Sequence, residues 1–316
     1  MKIVVLDAGT LGEDLNLSPL SAFGEVTAYR TSAPEEIAVR LSDCEIAVVN
    51  KAKLNEKTMG EAKSLRLICE FATGFDNIDV AYCRKRGIAV CNVVGYSTNN
   101  VAQLTAAMAL SLVTHLPEFC RHVSSGAYSA EGVANCLSPA YHEIAGMTWG
   151  VAGYGNIGKA VARVAEALGC HVIAYKRTPV PGVETVDADT LCRRADILSV
   201  HLPLNDGTRG LFSAERIALL KPNCIFINVA RGAVTDEKAL AEAIKAGKIA
   251  GLGADVYSAE PFPADHPFYA IRELPNVCLT PHMAWGSREA RERCLAEICE
   301  NIRVFLDGGT RFRVDL

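Results

Sequence analysis

Three residues that could move a proton or bind an anion stand at comparable places in this chain of 316 residues. Each one follows a predicted strand: Arg231 follows Cys224–Val229, Glu260 follows Ile249–Asp255, and His282 follows Val277–Thr280. Ligands of an open parallel sheet bind beyond the carboxyl ends of its strands, so we expect the three side chains to converge. Singly, each could be a surface arginine, a loop carboxylate or a histidine at a strand end. Their joint placement predicts a site.

These three side-chain types are the set that carbonyl reduction needs. A histidine titrates near neutral pH and can give or take a proton. A carboxylate hydrogen-bonded to its far nitrogen orients the ring and favours the imidazolium form. A guanidinium can hold a substrate carboxylate with two hydrogen bonds and polarise the neighbouring carbonyl.

A glycine-rich turn adds a second kind of site. Gly153, Gly155 and Gly158 follow the predicted strand Thr148–Ala152 and open an alanine-rich helix, Lys159–Leu168. Between a strand and a helix, this spacing lets the backbone approach a pyrophosphate and points amides of the helix N-terminus at it. A turn needed only for helix–sheet packing is the alternative. The context favours a dinucleotide site.

The end of the next strand bears on the choice of dinucleotide. The fingerprint expects an acidic residue about 20 positions on, bound to the ribose 2′-hydroxyl. The strand His171–Tyr175 instead ends in Lys176 and Arg177, without a carboxylate. Two cations could pair with a 2′-phosphate, so the sequence favours NADP(H) over NAD(H). Solvation of both cations at the strand end is the alternative.

Alternating strands and helices must position these residues. The first series of strands is almost continuously apolar, which is typical of parallel strands covered on both faces. It comprises Lys2–Leu6, Val26–Tyr29, Ile46–Val49, Arg66–Glu70 and Ile88–Cys91. Helical segments lie between them, at Pro34–Leu41, Asn55–Ala62 and Asp79–Arg86. This order predicts a parallel sheet with right-handed crossovers.

A second series begins after Gly95 with a helix around Val101–Leu112, followed by an irregular stretch, Pro117–Gly146. Its strands are those named above together with Asp196–Val200, and a helix at Asp236–Ala246 interrupts them. A last long helix, Ser287–Leu306, ends the chain. We therefore predict an α/β protein with two parallel-sheet domains. One is a discontinuous substrate domain, residues 1–98 plus 286–316, and the other is a dinucleotide-binding domain, residues 99–285.

Composition and charge exclude several classes of function. Hydrophobic residues make up 50% of the chain and charged residues 22%, which is ordinary for a globular protein. The formal net charge is −4, so neither a nucleic-acid nor an anionic-membrane partner has electrostatic support. The first residues offer no secretory apolar region, and polar residues interrupt the most apolar helical stretch. We expect a cytoplasmic protein.

The 12 cysteines are scattered through apolar contexts and show no Cys-x-x-Cys spacing. They are interpreted as reduced, mostly buried thiols that pack as small hydrophobic side chains. No group of histidine, cysteine and aspartate has the sequence spacing of metal ligands, so we predict no metal.

Six segments together make the chain resemble the D-2-hydroxyacid dehydrogenase family over essentially its full length. They are Ala72–Asp79, Asn99–Thr105, Gly153–Gly158, His201–Leu204, Asn228–Val234 and Thr280–Trp285. The segment Asn92–Thr98 and Trp285 are most similar to the branch of glycerate dehydrogenases and hydroxypyruvate or glyoxylate reductases. The resemblance implies a Rossmann dinucleotide-binding domain and a flavodoxin-like substrate domain.

The resemblance also implies roles for individual residues. His282 would be the acid/base, Glu260 its partner and Arg231 the substrate clamp. In the first domain, backbone amides of Thr73 and Gly74 would hold the substrate carboxylate. Lys51 would contact the substrate, although an exposed lysine at a strand end is the commoner case. Contacts with the dinucleotide would come from Thr105, Asn156, Ile157, His201, Pro203, Ala230 and Asp255.

Two positions depart from the family pattern, and one histidine competes with His282. Lys176 replaces the usual ribose-binding aspartate, which bears on the cofactor, and Gln103 stands where many members carry glutamate. His201 ends the strand Asp196–Val200 and could itself be the catalytic histidine. Because Leu202 and Pro203 fix the backbone after it, we predict that His201 lines the cofactor site instead.

The activity implied by the resemblance is hydride transfer between NAD(P)H and a small 2-oxoacid or D-2-hydroxyacid, with hydroxypyruvate or glyoxylate favoured. The alternative is a dinucleotide-sensing, non-enzymatic protein like the transcriptional corepressors that share this fold, which the motifs alone do not exclude. A third possibility, a methyltransferase or hydrolase built on a Rossmann sheet, is disfavoured because its chemistry does not need the Arg/Glu/His placement.

By resemblance, the stretch 117–146 is an arm that wraps a second subunit in a homodimer, since it is too long for an ordinary connection.

Overall fold

The computed structural model describes all 316 residues and contains two sheets in which every strand pairing is parallel. The strands are β1 (Lys2–Val5), β2 (Glu25–Ala28), β3 (Ile46–Val49), β4 (Leu67–Glu70), β5 (Ala89–Cys91), β6 (Thr148–Ala152), β7 (His171–Tyr175), β8 (Glu184–Val186), β9 (Ile197–Val200), β10 (Ile225–Asn228), β11 (Gly251–Ala254) and β12 (Val277–Leu279). The helices are α1 (Pro34–Leu41), α2 (Glu56–Met59), α3 (Val80–Arg86), α4 (Thr98–Val113), α5 (Leu116–Ser124), α6 (Ala127–Glu131), α7 (Asn156–Ala167), α8 (Ala188–Arg194), α9 (Ala214–Ile217), α10 (Glu237–Lys245) and α11 (Arg288–Leu306).

The first of two compact units comprises Met1–Ser97 and Trp285–Leu316. Its strand order is β2-β1-β3-β4-β5, the flavodoxin-like order that the family resemblance implies. Residues of α11, among them Cys294 and Ile298, pack into one core of this unit, and residues of α1 and α3 pack into a second core. Every residue of β3 and β4 is buried, which explains their unbroken apolar sequence.

The second unit, Thr98–Ala284, has the strand order β12-β11-β10-β9-β6-β7-β8. Read from β8, the first six strands follow the doubly wound order 3-2-1-4-5-6 of a Rossmann sheet, so the predicted α/β fold class is confirmed. The pairing register aligns the last residues of six strands in one row: Tyr175, Ala152, Val200, Asn228, Ala254 and Leu279. The loops that leave this row carry the predicted chemistry.

The stretch 117–146 is not irregular throughout, so that prediction was wrong. It contains α5 and α6, and a helical signal was present in the sequence. Leu116, Phe119, Cys120 and Val123 recur at helical spacing, and Pro117 occupies the first turn of α5. Neither helix buries a single residue, so their apolar face is left exposed.

Three further elements of the second unit have no counterpart in the sequence prediction: β8, α8 and α9. Each is short, and β8 is an edge strand of three residues with no buried position, so it lacks the apolar run that marked the other strands. None of the helices combines the length and the apolar character that a membrane-spanning segment requires.

Candidate active site

The structure brings two of the predicted residues into direct contact. The distance between His282 Nδ1 and Glu260 Oε2 is 2.6 Å, within the range of a charge-assisted hydrogen bond. The side chains are 20% and 27% exposed, so the pair is accessible from one side. Glu260 follows β11 and His282 follows β12, and these strands are neighbours. The contact therefore links the loops that leave two adjacent strands.

The Glu260 carboxylate is held through both of its oxygens. While Oε2 faces His282, Oε1 accepts a hydrogen bond of 3.0 Å from the backbone N–H of Tyr257. The Tyr257 hydroxyl donates to the carbonyl of Thr280 at 2.8 Å, which ties the loop after β11 to the residues before His282. Burial raises the pKa of the Tyr257 phenol, so it remains a donor at every physiological pH. The carboxylate thus has a fixed direction.

Asp255 fixes the backbone around His282. Its buried carboxylate accepts hydrogen bonds from Thr280 Oγ1 at 2.6 Å, from Met283 N at 2.8 Å and from Ala284 N at 2.9 Å. Burial raises the pKa of Asp255, although these three donors oppose that effect. His282 lies between the anchored residues with a φ of 53°, in the left-handed region. Both Asp255 oxygens are occupied within the chain, and its contact with a dinucleotide stays a prediction.

A buried network that the sequence did not reveal braces the Glu260 loop. Glu237, on α10, accepts hydrogen bonds from the Ser258 backbone N–H at 2.9 Å and from the Ser258 hydroxyl. His266 Nδ1 accepts from Phe268 N, so its proton is on Nε2, which donates to Glu237 Oε2 at 3.0 Å. Glu237 therefore anchors the loop on both sides of Glu260. Sequence reasoning missed it because the partners lie far apart along the chain.

Arg231 lies in the loop after β10, the strand next to β11. Asn228 shapes this loop, since its side chain accepts a hydrogen bond from Ala230 N and donates one to the Arg231 carbonyl, both 3.0 Å long. A Cβ added to Gly232 would lie 2.1 Å from the carbonyl carbon of Tyr257. Only glycine permits this close approach, which packs the Arg231 loop directly against the base of the Glu260 loop.

The glycine-rich turn has the geometry that a pyrophosphate needs. Gly153 has a φ of 97°, and a Cβ on Gly158 would lie 2.0 Å from the Gly153 carbonyl oxygen. The N-cap of the 12-residue helix α7 is Gly155, so no side chain caps its first amides, and a Cβ on Gly155 would meet nothing within 4 Å. Asn156 and Ile157 begin this helix. Free amides and open space at a helix N-terminus fit an anionic group.

His201 is built differently from His282. Its Nε2 lies 2.9 Å from Ser199 Oγ, which also accepts a hydrogen bond from Trp149 Nε1. Burial lowers the pKa of His201 to about 3, so the ring stays neutral and cannot serve as an acid near pH 7. Its Nδ1 is buried and has no hydrogen-bond partner in the chain. The backbone carbonyl group of His201 packs against Gly153, and a contact of its side chain with the dinucleotide stays a prediction.

The remaining predicted cofactor residues occupy the same sheet edge or the helix behind it. Lys176 and Arg177 directly follow β7 and are both exposed, and neither forms an ion pair within the chain. Pro203 follows β9, and Ala230 follows β10. Thr105 is buried in α4, where its hydroxyl donates to the Val101 carbonyl at 2.7 Å. A dinucleotide contact of Thr105 stays a prediction.

Three predicted substrate contacts belong to the first unit. Lys51 follows β3, while Thr73 and Gly74 follow the neighbouring strand β4. The Asp7 carboxylate accepts hydrogen bonds from the backbone N–H groups of residues 50–52 and so fixes the turn that carries Lys51. The Thr73 hydroxyl donates to the Val93 carbonyl at 2.7 Å. The side chain of Thr73 is therefore occupied, and the contact of its backbone amide with the substrate stays a prediction.

Comparison with known proteins points to the same family as the sequence motifs. The family described as "D-isomer specific 2-hydroxyacid dehydrogenase, NAD binding domain" matches residues 106–284. Glycerate dehydrogenase of Methylorubrum extorquens is 34% identical over 308 residues, 97% of this chain and 96% of that protein. The chain belongs to the D-isomer-specific 2-hydroxyacid dehydrogenases. The resemblance inferred from the sequence is confirmed, and the protein is an oxidoreductase that uses a nicotinamide dinucleotide.

Solved structures of two similar proteins extend the comparison. A D-lactate dehydrogenase from Aquifex aeolicus, complexed with NAD and lactic acid, is 30% identical, with a TM-score of 0.86 over 98% of this chain and 96% of that one. An NADPH-dependent glyoxylate/hydroxypyruvate reductase from Sinorhizobium meliloti, in complex with NADP and malonate, is 29% identical, with a TM-score of 0.86 over 99% and 96%. Both proteins are named as enzymes, so the non-enzymatic alternative gains no support.

The Glu237 network supplies a prediction about stability. We expect Glu237→Ala to lower the free energy of unfolding by about 2 kcal/mol, because the buried His266 ring and the part-buried donors of Ser258 lose their acceptor. Urea denaturation followed by circular dichroism measures the change. Glu242→Ala is the matched control, since Glu242 is exposed on the same helix α10. Equal stability of the two variants would contradict a bracing role for Glu237.

Proposed function

We propose that this dehydrogenase reduces a small 2-oxoacid, hydroxypyruvate or glyoxylate, with NADPH as the preferred reductant and His282 as the proton donor. The observation that carries the proposal is the 2.6 Å contact between His282 Nδ1 and Glu260 Oε2. It lies on the sheet edge that also carries Arg231 and the glycine turn. The names of the relatives from Methylorubrum and Sinorhizobium support the substrate class.

The proposed chemistry divides between the bound dinucleotide and the chain. When bound, the reduced nicotinamide supplies the hydride that the carbonyl carbon receives. Glu260 stabilises the imidazolium form of His282, and the Nε2 proton passes from that ring to the carbonyl oxygen. The Arg231 guanidinium holds the substrate carboxylate and polarises the carbonyl. In the reverse direction the same histidine takes the proton back.

Residues outside this triad would hold the two ligands. The first-turn amides of α7 and the glycine turn would bind the pyrophosphate, and His201 Nδ1 would gain the hydrogen-bond partner that the chain does not give it. We propose that the backbone amides of Thr73 and Gly74 bind the substrate carboxylate and that Lys51 contacts the substrate. Amides and one guanidinium recognise any 2-oxo carboxylate, so the substrate's side chain must be selected elsewhere.

A cytoplasmic location is part of the proposal. All 12 cysteines are free thiols, and eight of them are buried. Burial raises the pKa of buried thiols such as Cys83 and Cys192 to about 12, which keeps them protonated and unreactive. A chain with this many unpaired cysteines suits a reducing compartment.

Replacement of His282 tests the catalytic assignment. We expect His282→Ala to lower kcat by roughly 10²- to 10⁴-fold, the usual contribution of general acid catalysis, with the dinucleotide Kd unchanged. Steady-state kinetics and calorimetric titration measure the two quantities. His171→Ala is the control, because His171 is exposed at the opposite end of β7 from the site.

The Glu260→Gln variant separates proton donation from simple packing. Glutamine keeps the size of the side chain but has no negative charge to stabilise a protonated His282, so we expect kcat to fall while the dinucleotide Kd stays unchanged. Near-wild-type turnover of His282→Ala on every 2-oxoacid tried would overturn the assignment.

A substrate panel measured with both cofactors tests the rest of the proposal. We expect the highest kcat/KM with NADPH and hydroxypyruvate or glyoxylate, ahead of pyruvate and 2-oxobutyrate. The double replacement of Lys176 and Arg177 by alanine should lower kcat/KM for NADPH by about 10- to 100-fold, as charge-assisted hydrogen bonds to the 2′-phosphate are lost. Arg163→Ala, an exposed site on α7, is the control. A strong NADH preference that survives the double replacement would contradict the cofactor assignment.

We also propose that the segment 116–141 forms the interface of a homodimer. Its side chains line an apolar groove of about 610 Å³ together with the outer face of α4. Leu116, Val123, Leu137 and Tyr141 are between 53% and 72% exposed, so one segment presents four large apolar side chains to solvent, and exposed apolar patches can mark protein–protein contacts. The family resemblance supports a second copy of this chain as the occupant.

Charge placed in this segment tests the dimer. We expect light scattering after size exclusion to give a dimer for the wild type and a monomer for the double variant Val123→Asp, Leu137→Asp, because two buried carboxylates would face an apolar surface. Val39→Asp is the control, since Val39 is 74% exposed on α1. A wild-type monomer at micromolar concentration would contradict the proposal.

A further inference from the structure

Three side chains from three different pieces of the segment 116–141 converge at one point. His122 lies in the last turn of α5, Glu131 is the last residue of α6, and Cys136 lies in the stretch after it. One ligand atom of each, a ring nitrogen, a carboxylate oxygen and a thiol sulfur, lies within 4.8 Å of the other two. This cluster is outside the catalytic machinery described above. Sequence spacing did not predict it, since the three positions follow no familiar metal motif.

The His122 side chain has a buried ring nitrogen without a hydrogen bond. Its Nε2 is buried and makes no hydrogen bond, although Glu131 Oε2 lies 3.4 Å away. A buried polar nitrogen without a hydrogen bond costs about 1–3 kcal/mol, so the position is unfavourable unless the atom binds something else. Two ligands held at ~2.0–2.1 Å by a tetrahedral zinc ion lie ~3.3–3.4 Å apart. The observed separation of nitrogen and oxygen is the separation that a shared ion would impose.

The mixture of ligand atoms distinguishes between ions. Ca²⁺ and Mg²⁺ bind oxygen, whereas a thiolate together with an imidazole and a carboxylate suits Zn²⁺. A protonated His122 paired only with Glu131 is the competing explanation. That pair would leave Cys136 without a role, and the contact lacks hydrogen-bond geometry.

Few interactions within the chain restrain the segment 116–141 around this cluster. The helices α5 and α6 bury no residue. The stretch after α6 is tied back by the Tyr128 hydroxyl, which donates to the Ala134 carbonyl at 2.8 Å, and by the edge-to-face contact of Phe119 and Tyr141. The Cys136 thiol makes only a long hydrogen bond of 3.5 Å to the Ser138 carbonyl, so a small rotation is cheap. An ion at the cluster would cross-link all three pieces.

We propose that His122, Glu131 and Cys136 bind a zinc ion, with its fourth position open to water. On binding, the Cys136 S–H bond breaks, the sulfur bonds to zinc as a thiolate, and the proton leaves to solvent. No electron is transferred. The neutral imidazole of His122 donates its Nε2 lone pair, and Glu131 supplies a carboxylate oxygen. The bound ion fixes the stretch 132–136 against α5 and α6.

Cobalt spectroscopy on the full-length, tag-free protein tests the site, because thiolate ligation gives Co²⁺ a charge-transfer absorption that nitrogen and oxygen ligands do not. After removal of metal with a chelator, we expect this band to saturate at one Co²⁺ per chain and to disappear when Zn²⁺ is added. Cys136→Ser should abolish the band, and His122→Gln should weaken Zn²⁺ binding at least about tenfold. Cys120→Ser is the matched control, because Cys120 is an exposed thiol on the same helix as His122.

Limited proteolysis provides a second readout. Zn²⁺ should slow cleavage within residues 125–141 of the wild type and of Cys120→Ser, and have no effect on Cys136→Ser. Melting curves without metal check that each variant is folded. A missing charge-transfer band in the wild type, or a band that survives Cys136→Ser, would overturn the proposal and leave His122 and Glu131 as an ion pair.

Discussion

The hydrogen bond between Glu260 and His282 depends on loops that leave two neighbouring strands at the same level. Parallel strands meet this requirement because the pairing register aligns their carboxyl ends, so residues distant in sequence emerge side by side. The loops are then held by buried carboxylates. Asp255 fixes the residues on both sides of His282, and Glu237 anchors the loop on both sides of Glu260. The partly exposed Glu260 and His282 side chains keep their relative position because the buried carboxylates of Asp255 and Glu237 hold the loops that carry them.

Two histidines on this sheet edge show how surroundings decide chemistry. His282 is partly exposed and faces a carboxylate, and both conditions suit a group that must gain and lose a proton. His201 is partly buried, with its Nε2 beside the Ser199 hydroxyl and no charged partner, and desolvation lowers its pKa to about 3. The His201 ring therefore stays neutral near pH 7, and its contact with the cofactor belongs to the proposal.

Most of the fold could be predicted because its signals are local. Buried parallel strands such as β3 and β4 appear as unbroken apolar runs, and a glycine turn between strand and helix is visible in the sequence itself. The edge strand β8 has no buried residue and left no such signal. The Glu237 network and the cluster around His122 are contacts between distant or irregularly spaced positions. Nothing along the chain marks them, and only the folded structure brings the atoms together.

The segment 116–141 and the sheet edge that carries His282 both contain exposed side chains, but different interactions hold them in place. At the catalytic edge, functional side chains are exposed, but buried carboxylates behind them satisfy backbone donors and fix the loops. The helices α5 and α6 bury no residue, and our two proposals would supply the missing support: a second copy covering the apolar groove, and an ion at His122, Glu131 and Cys136. The proposed dimer contact and the proposed ion both involve the same stretch, residues 132–137. An ion that fixes Cys136 also fixes the neighbouring Leu137, a side chain of the proposed interface, so metal binding and dimer formation should reinforce each other.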